Sequence, residues 1–389
     1  MKNRLISIVK RYPPEIGGVE ATALEINKIA KKIFKERIVI TYNNENKYKI
    51  ENFDDVEVHR LPTLIDKFSV RYSLIFNKIL KKVVKENDVL LYHYASGQPE
   101  LEYLFQRKIK RNKVRKIIFY HMDVSGRGFL SKLYNRYVES SFFPDSDKII
   151  VTSPNMKVSS PVLRTFQNKI EIIPLFVDLK HFYYRKDNKR EFLLNKFKNK
   201  KEKIVMYIGR LGRYKGLDYL VKSYKYLDKK TGIVIIGNGP KEKEIKELVY
   251  DLNFSNDILF LNHVPYPDLP SYYSAADVFV LPSTDRGEAF GLVVIEAMAC
   301  GIPVITTELG TGTSYHNIDG VTGRVILPKN EEEIAKAIKE ILFENPERYK
   351  KENIIKRAAE FSYENFEKNV VEKILLWKIM ISENAILKL

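Results

Sequence analysis

Two glutamates, Glu288 and Glu296, are separated by seven residues at the junction of a predicted strand and a predicted helix. The apolar run from Ala276 to Leu281 is typical of a short buried strand. A helix is predicted from Leu292 to Cys300, with Gly301 as its stop signal. This spacing places Glu288 in the connecting loop and Glu296 about one turn into the helix. One carboxylate at a sugar, a second at a ribose and helix N-terminal N–H groups facing a phosphate would form a sugar-nucleotide pocket.

A pair of cations, Arg210 and Lys215, lies on a second predicted strand-to-helix loop. The strand is predicted from Lys203 to Ile208 and the helix from Leu217 to Leu227. A diphosphate leaving group needs its charge neutralised, and this pair could do so without a metal. Arginine offers a bidentate fork and lysine a mobile point charge. The alternative is that both are ordinary surface cations.

A glycine pair, Gly17 and Gly18, follows the first predicted strand, Leu5 to Val9, and precedes an amphipathic helix. Without side chains, two glycines let the backbone come close to a ligand. The alternative is a tight turn that requires positive φ.

Strands and helices alternate along the chain, which predicts a parallel sheet in each half. Further strands are predicted at Arg37–Tyr42, Val56–Leu61, Val89–Tyr92, Lys116–His121, Lys148–Val151, Ile233–Gly237, Ile258–Leu261 and Val304–Thr306. His93 and His121 lie at strand ends, and ligands bind at the carboxyl ends of strands in open α/β sheets. The stretch from Asp178 to Lys203 is polar and lysine-rich, and we interpret it as an interdomain linker.

The composition is that of a globular protein long enough for two α/β domains, with 389 residues, 44% hydrophobic and 30% charged. The single cysteine, Cys300, excludes a disulfide framework, and no apolar run approaches the ~20 residues that span a bilayer. The net charge of +17 would favour binding to nucleic acid, to an anionic membrane or to acidic substrates. The alternative is that the excess of lysine is only background composition. We expect no nucleic-acid partner, because zinc-finger spacing and RNA-binding aromatic signatures are absent from the sequence.

The segment from Arg286 to Pro303, R-G-E-A-F-G-L-V-V-I-E-A-M-A-C-G-I-P, resembles the E-x7-E signature of retaining glycosyltransferases of glycosyltransferase family four. The string P-P-E-I-G-G-V-E from Pro13 resembles the first loop of that family, and G-R-L-G-R-Y-K-G from Gly209 resembles its cationic loop. The resemblance covers nearly the whole chain and is strongest from Gly209 to Gly323.

A narrower resemblance links the chain to mannosyltransferases that build exopolysaccharide and O-antigen repeats on lipid carriers. It lies in D-K-I-I-V-T-S-P-N, S-S-P-V-L and I-E-I-I-P-L-F-V-D, between Asp147 and Asp178. Two positions depart from the family pattern. Phe176 stands where a glycine is common, and Asp319 stands where an asparagine is common.

The resemblance implies an α/β protein of GT-B fold, with two Rossmann-like β/α/β domains facing each other across a cleft. Residues 1–178 would form the acceptor-binding domain, and the C-terminal helix, 366–389, would pack back on it. Residues 179–365 would form the donor-binding domain.

The resemblance also implies roles for individual residues. The residues implied for catalysis are His121, Arg210, Lys215 and Glu288. The residues implied for donor binding are Gly17, Gly18, Gly209, Arg210, Lys215, Gly237, Gly239, His263, Val264, Glu288, Ala289, Phe290, Gly291, Leu292, Val293 and Glu296. The residues implied for acceptor binding are Tyr12, Glu20 and His93. No residue is assigned as a base, and no metal ligand is expected.

The function implied is retaining transfer of a hexose to a glycan or lipid-linked saccharide in cell-surface polysaccharide biosynthesis. Mannose from GDP-mannose is the preferred donor, with neither cofactor nor metal. A nucleotide-sugar epimerase of GT-B fold and a non-catalytic nucleotide-sugar-binding protein remain alternatives.

A basic run followed by an aromatic stretch bears on where in the cell the protein works. Seven of the twelve residues from Phe105 to Lys116 are basic, and aromatic residues are frequent between Phe129 and Phe143. This pattern suits an anionic membrane surface, which would place the protein in the cytoplasm at the inner face of the cell membrane. A solvated helix face accounts for the same pattern equally well.

Overall fold

The computed structural model describes residues 4–15, 17–67, 70–103, 106, 113–124 and 129–376. These residues form two compact units. The first unit takes them from 1–152, 157–174 and 366 onward, and the second takes 153–156 and 175–365.

The strands are β1 Leu5–Ile8, β2 Arg37–Asn43, β3 Lys49–Phe53, β4 Val56–Pro62, β5 Ile65–Lys67, β6 Val70–Tyr72, β7 Val89–Tyr94, β8 Arg115–Tyr120, β9 Lys148–Val151, β10 Ile170–Ile172, β11 Lys203–Ile208, β12 Thr231–Ile236, β13 Ile258–Leu261, β14 Val278–Leu281, β15 Val304–Thr307 and β16 Gly323–Ile326.

The α-helices are α1 Gly18–Ala30, α2 Phe76–Val83, α3 Gln98–Leu101, α4 Phe129–Ser141, α5 Pro154–Ser159, α6 Lys189–Leu194, α7 Leu217–Ser223, α8 Glu242–Asp251, α9 Leu269–Ala275, α10 Leu292–Ala299, α11 Gly312–His316, α12 Glu331–Lys339, α13 Lys351–Ala359 and α14 Tyr363–Val370. Short 3₁₀ segments cover Pro161–Lys169, Arg213–Lys215, Tyr224–Tyr226, Tyr266–Asp268 and Pro346–Arg348, and π-helical turns cover Glu340–Glu344 and Val371–Leu375.

The sheet of the first unit has the strand order β10-β9-β8-β7-β1-β2-β4-β3. Its pairings are parallel except for the edge strand β3, which is antiparallel to β4. The interior strands β1, β2, β7 and β9 are buried at every position, as expected for strands covered on both faces. The predicted parallel sheet is therefore confirmed, whereas β3 and the β5–β6 hairpin were not predicted. The mostly exposed or half-buried residues of β3 carry no continuous apolar run.

The sheet of the second unit has the order β13-β12-β11-β14-β15-β16, with every pairing parallel. Counted from its first strand, this is the order 3-2-1-4-5-6 of a Rossmann sheet. The order reverses between β11 and β14. In such sheets ligands bind at the carboxyl ends of the strands beside this switch point.

The interpretation of Asp178–Lys203 as a linker is wrong. This stretch contains helix α6, and Phe182, Leu193 and Phe197 are buried. Arg190 donates to the carboxylate of Asp277 at 2.9 Å. The polar, lysine-rich composition of the stretch gave no indication of these three buried apolar residues. The stretch belongs to the second unit.

The chain after Phe366 belongs to the first unit as far as the structure describes it. Lys373 Nζ donates to the carbonyl of Ile172 at 2.8 Å, and Lys148 Nζ donates to the carbonyl of Lys373 at 3.1 Å. The α-helix gives way to a π-helical turn after Val370, and residues 377–389 of the predicted terminal helix lie outside the described residues. No helix within the described ranges is both long and apolar enough to cross a membrane.

Candidate functional site

The loops that follow β11 and β14 meet at the switch point of the second sheet. The backbone of Gly216 has φ +66, and a Cβ there would lie 2.0 Å from the carbonyl oxygen of Pro282. The amide of Thr284 donates to the carbonyl of Tyr214 at 2.8 Å. Glycine at 216 is thus required by conformation and by space, and the contact sets the cationic loop against the loop that carries Glu288.

This contact brings Lys215 and Glu288 together. Their side chains are buried, with 8% and 7% of each residue exposed, and Lys215 Nζ lies 2.5 Å from Glu288 Oε2. The hydroxyl of Ser283 donates to the same oxygen at 3.1 Å. A buried charge is tolerated when it is paired and hydrogen-bonded, so each ion keeps the other in place.

The loop after β15 fixes the backbone around Glu288. The Thr311 hydroxyl donates to the carbonyl of Glu288 at 2.7 Å, and the amide of Gly312 donates to the carbonyl of Ala289 at 2.8 Å. A Cβ at Gly312 would lie 2.5 Å from the ring of Phe290. These contacts hold the signature segment against the loop after β15.

Helix α10 begins directly after this segment. Gly291 adopts the left-handed conformation, with φ +79, and the amide of Val294 bonds to its carbonyl. The N–H groups of Leu292 and Val293 are left without an intrahelical acceptor, as at any helix start. The sequence predicts that these N–H groups bind a phosphate, and this stays a prediction.

Glu296 lies within the same helix and is half-buried. Its carboxylate accepts a hydrogen bond from the Tyr273 hydroxyl at 2.7 Å. Burial raises the pKa of Glu296 to about 7, against the opposing effect of that hydrogen bond. Burial, with a further contribution from the charge of Glu296, raises the pKa of Tyr266 to about 12. Glu296 is therefore poised to change charge near neutral pH.

The remaining predicted donor residues differ in exposure. Arg210 and His263 are exposed, whereas Val264 is buried at the end of β13. A Cβ at Gly237 would lie 2.0 Å from the carbonyl oxygen of Gly209, and Gly237 has φ +135. Glycine at 237 therefore lets the loops after β11 and β12 pack with their backbones in contact. This packing role is separate from the donor contact predicted for Gly237, which stays a prediction.

The glycine pair of the first unit opens the N-terminus of α1. Gly17 has φ −133, Gly18 is helical, and neither has positive φ. The tight-turn alternative is therefore wrong. A Cβ at Gly18 would meet no atom of the described residues within 4 Å, so they leave open space beside this helix start. Glu20 follows in the first turn and is half-buried.

Two buried arginines hold the loop before this helix. Arg71 donates to Glu15 Oε2 at 2.9 Å and to Asp66 Oδ2 at 3.0 Å. Arg60 donates to the carbonyl of Pro13. Sequence reasoning missed both residues, because nothing local separates a buried arginine from a surface one.

Tyr12 lies in the apolar core of the first unit. Its ring packs with Val9, Ala23 and Val39, and its hydroxyl has no hydrogen-bond partner among the described residues. Burial raises the pKa of this phenol far above its ordinary value. The predicted contact of Tyr12 with an acceptor stays a prediction, and in the structure its side chain is covered.

His93 and His121 form a buried pair at the carboxyl ends of β7 and β8. His93 Nδ1 lies 2.9 Å from His121 Nε2, and the rings are stacked with centroids 5.2 Å apart. Phe119 stacks on both rings. Burial lowers the pKa of His93 to about 3 and holds the pKa of His121 well below its ordinary value. Both imidazoles are therefore neutral near pH 7, and no local pattern in the sequence indicates that they touch.

Known proteins resemble both halves of the chain. Residues 16–181 match the family described as "Glycosyltransferase Family 4", and residues 188–361 match the family described as "Glycosyl transferases group 1". The D-rhamnosyltransferase WbpZ of Pseudomonas aeruginosa is 28% identical over 349 residues, which are 88% of this chain and 87% of that protein. The O-antigen chain mannosyltransferase C of Escherichia coli is 27% identical over 342 residues, which are 87% of this chain and 88% of that protein.

Solved structures show the same fold. Sucrose-phosphate synthase from Thermosynechococcus elongatus has a TM-score of 0.77 at 22% identity, with 98% of this chain and 100% of that chain covered. HepE of Anabaena, solved with UDP and glucose, has a TM-score of 0.73 at 16% identity, with 96% and 99% covered. Each unit of this chain is a Rossmann-like α/β domain, and a family-four half precedes a group-1 half. The chain belongs to the GT-B glycosyltransferases that combine these two domains.

Proposed function

We propose that this glycosyltransferase transfers mannose, or a closely related hexose, from GDP-mannose with retention of anomeric configuration. The acceptor is a saccharide, free or lipid-linked, in the assembly of a cell-surface polysaccharide. Two relatives that match over most of the chain are named as a D-rhamnosyltransferase and an O-antigen chain mannosyltransferase, and these names support transfer of a sugar of this kind. A GDP-mannose-dependent phosphatidylinositol monomannoside mannosyltransferase of Mycolicibacterium smegmatis adds to it, at 31% identity over 147 residues, 36% of this chain.

The observation that carries the proposal is the buried Lys215–Glu288 pair at the switch point of the second sheet. When a sugar leaves a nucleoside diphosphate, negative charge grows on the phosphate. A cation and helix N–H groups directed at that charge stabilise it most in the transition state. In the proposed donor complex Lys215 and Arg210 bind the diphosphate, Glu288 binds the sugar hydroxyls and Glu296 accepts from the ribose.

The pairing of Lys215 with Glu288 in the free protein has a consequence for donor binding. A diphosphate offers Lys215 a second anionic partner, and the sugar hydroxyls offer Glu288 new donors. Neither ion then has to be buried unpaired, which would cost several kcal/mol. The free protein thus holds both groups in place before the donor arrives.

We propose that catalysis needs neither a divalent metal nor a cofactor. Arg210, Lys215 and the start of α10 provide the positive potential that a metal would otherwise supply at a diphosphate. Turnover should therefore be unchanged by EDTA. A loss of turnover that Mg²⁺ or Mn²⁺ restores would contradict this part of the proposal.

The donor can be identified by stabilisation and turnover in one panel. GDP, UDP, GDP-mannose, GDP-D-rhamnose and UDP-glucose are compared, because D-rhamnose is mannose without its 6-hydroxyl group. A ligand at a hundred times its dissociation constant stabilises the protein by about 2.7 kcal/mol. We expect GDP and GDP-mannose to raise the melting temperature most. Stabilisation by UDP sugars alone would refute the assignment of the donor.

Turnover separates the proposal from its rivals. Proton NMR of the first product should show the anomeric configuration of the donor. Lys215→Ala should abolish most of the turnover, and Lys243→Ala, at a lysine whose side chain is 88% exposed, serves as the matched control. Release of a free epimer without an acceptor would indicate an epimerase. Nucleotide-sugar binding without turnover across a broad acceptor panel would indicate a non-catalytic protein.

We further propose that the protein works in the cytoplasm, peripherally at the inner face of the membrane. A lipid-linked acceptor would be presented there. Of the basic run from Phe105 to Lys116 that motivates this part, residues 107–112 lie outside the described residues. The aromatic stretch after them begins in α4, where Phe129 and Leu133 are exposed.

A further inference from the structure

The paired histidines of the first unit share one face of the sheet with helix α1. The Asn27 amide donates to Ser7 Oγ at 3.1 Å, so α1 covers the face on which Ser7 lies. Ser7 is in register with Leu91, and His93 is in register with Phe119. Side chains alternate along a strand, so His93, Phe119 and His121 lie on the face that α1 covers.

This places the histidine pair at the carboxyl edge of the sheet, on the face whose covering helix begins at Gly18. The amide of His121 is anchored by the carbonyl of Tyr94 at 3.1 Å. The Ser96 hydroxyl donates to the carbonyl of His93 at 2.6 Å. The backbone at each histidine is therefore held by a hydrogen bond, and Phe119 stacks on both rings.

Two neutral imidazoles that share one hydrogen bond have two proton arrangements. In the first, His93 Nδ1–H donates to His121 Nε2, so that His121 carries its proton on Nδ1 and His93 Nε2 is bare. In the second, His121 Nε2–H donates to His93 Nδ1. His121 Nδ1 is then bare, and His93 carries its proton on Nε2.

The surroundings of His93 decide between the two arrangements. His93 is 1% exposed, and its Nε2 atom is buried without a hydrogen-bond partner among the described residues. The second arrangement would bury an N–H group there with nothing to receive it. Orphaned buried N–H groups are rarer than under-satisfied acceptors, so the first arrangement is favoured.

We infer that His93 is a positioning residue that holds His121 in the tautomer with its proton on Nδ1. His121 then presents a hydrogen-bond donor, and not a base, to the bound sugar. The Nδ1 atom of His121 has no hydrogen-bond partner within the described ranges, and 6% of the residue is exposed. A sugar oxygen is a ligand that such a donor fits. The role of His121 at the sugar rests on the proposed function, whereas its tautomer does not.

The tautomer can be measured on the free protein. The chain has six histidines, so ¹⁵N-histidine labelling gives a small set of ring signals. Long-range ¹H–¹⁵N correlations distinguish a protonated ring nitrogen from a bare one, and a His121→Gln variant assigns the signals. We expect Nδ1 of His121 and Nδ1 of His93 to carry the protons. Protonated Nε2 on His121 would overturn the inference, whatever the protein's activity.

Two substitutions at His93 test the positioning role. His93→Phe keeps a ring in the stack and removes the donor, whereas His93→Asn can place an amide N–H near the position of Nδ1. We expect the phenylalanine variant to lower kcat about tenfold, with KM for the donor little changed, since one neutral hydrogen bond is lost. The asparagine variant should recover most of this loss.

A matched control comes from the same unit. His59 is also buried, but it bonds to Tyr48 and Glu57 away from this pair. His59→Gln should leave kcat and the His121 signals unchanged. Equal losses of kcat in His93→Phe and His93→Asn, or no loss in His93→Phe, would overturn the positioning role. If no variant and no wild-type protein shows transfer, the proposed function fails and the tautomer measurement still decides the inference.

Discussion

Replacement of Glu296 by glutamine should stabilise the second unit while it weakens nucleotide binding. The Glu296 side chain is half-buried, and this burial raises the pKa of its carboxyl from 4.5 to about 7. Among the described residues it accepts one side-chain hydrogen bond, from Tyr273 at 2.7 Å. Glutamine keeps an acceptor oxygen for that hydroxyl and carries no charge. The variant therefore keeps the contact and removes the ion.

The sign of the pH dependence follows from the raised pKa. The folded state favours the protonated carboxyl, so the contribution of Glu296 to stability is fully present below pH 4.5, its ordinary pKa, and is lost as the pH rises through about 7. One pKa unit is worth about 1.36 kcal/mol, so the full shift corresponds to about 3 kcal/mol. This is an upper figure, because the residue is half-buried and water screens part of the effect.

Thermal unfolding of wild-type protein and Glu296→Gln at several pH values tests the prediction. The advantage of the variant should be small near pH 4.5 and should reach its plateau above about pH 8. For a domain of this size about 1 kcal/mol corresponds to 2–4 °C, so a gain of several degrees is expected at the plateau.

Glu247→Gln is the control, because that carboxylate is exposed and 3.7 Å from Lys243. It should shift the melting temperature little at any pH. A Glu296→Gln variant that is less stable than wild type at about pH 8, or whose advantage does not change with pH, would refute the reasoning.

Three further predictions concern the candidate sites. Arg210→Ala and Lys215→Ala should each lower turnover by about 10²–10³, since each removes a contact that strengthens as the leaving group becomes charged, and wild-type turnover in both would remove the diphosphate role. Glu296→Gln should weaken binding of free nucleotide, whereas Glu288→Gln should mainly reduce turnover, as calorimetric titration and initial rates would show. Equal loss of nucleotide affinity would contradict that division, and the melting temperature of Glu288→Gln must be measured because the change unpairs the buried Lys215. The protein should co-sediment with anionic liposomes, more weakly as salt is added, since each basic residue near such a surface contributes about 1 kcal/mol within a Debye length of about 8 Å. Neutral liposomes are the control, and protein that stays in the supernatant at low salt would indicate a soluble acceptor. Binding should fall when these residues are neutralised: Arg107, Lys108, Lys110 and Arg111.

The sequence by itself determined the class of fold and many of the buried strands of its sheets. Runs rich in apolar residues, such as Lys148–Val151 and Val278–Leu281, are local signals, because a strand covered on both faces is largely apolar. The start of α10 at Leu292 was equally visible, since a glycine precedes it and the apolar helix follows. Local rules failed where the signal was sparse, as in 178–203, whose buried phenylalanines are separated by lysines.

The tertiary structure alone decided which side chains meet. Lys215 and Glu288 are 73 residues apart, and their ion pair depends on the sheet order that sets β11 beside β14. His93 and His121 are 28 residues apart, and they touch because β7 and β8 are paired in one register. Arg71 gives no sign in the sequence that it is buried against Glu15. Periodicity and turn signals predict the secondary structure of a residue and which face of its own element is buried. The partner of a side chain across a sheet follows from strand order and register, which only the folded chain fixes.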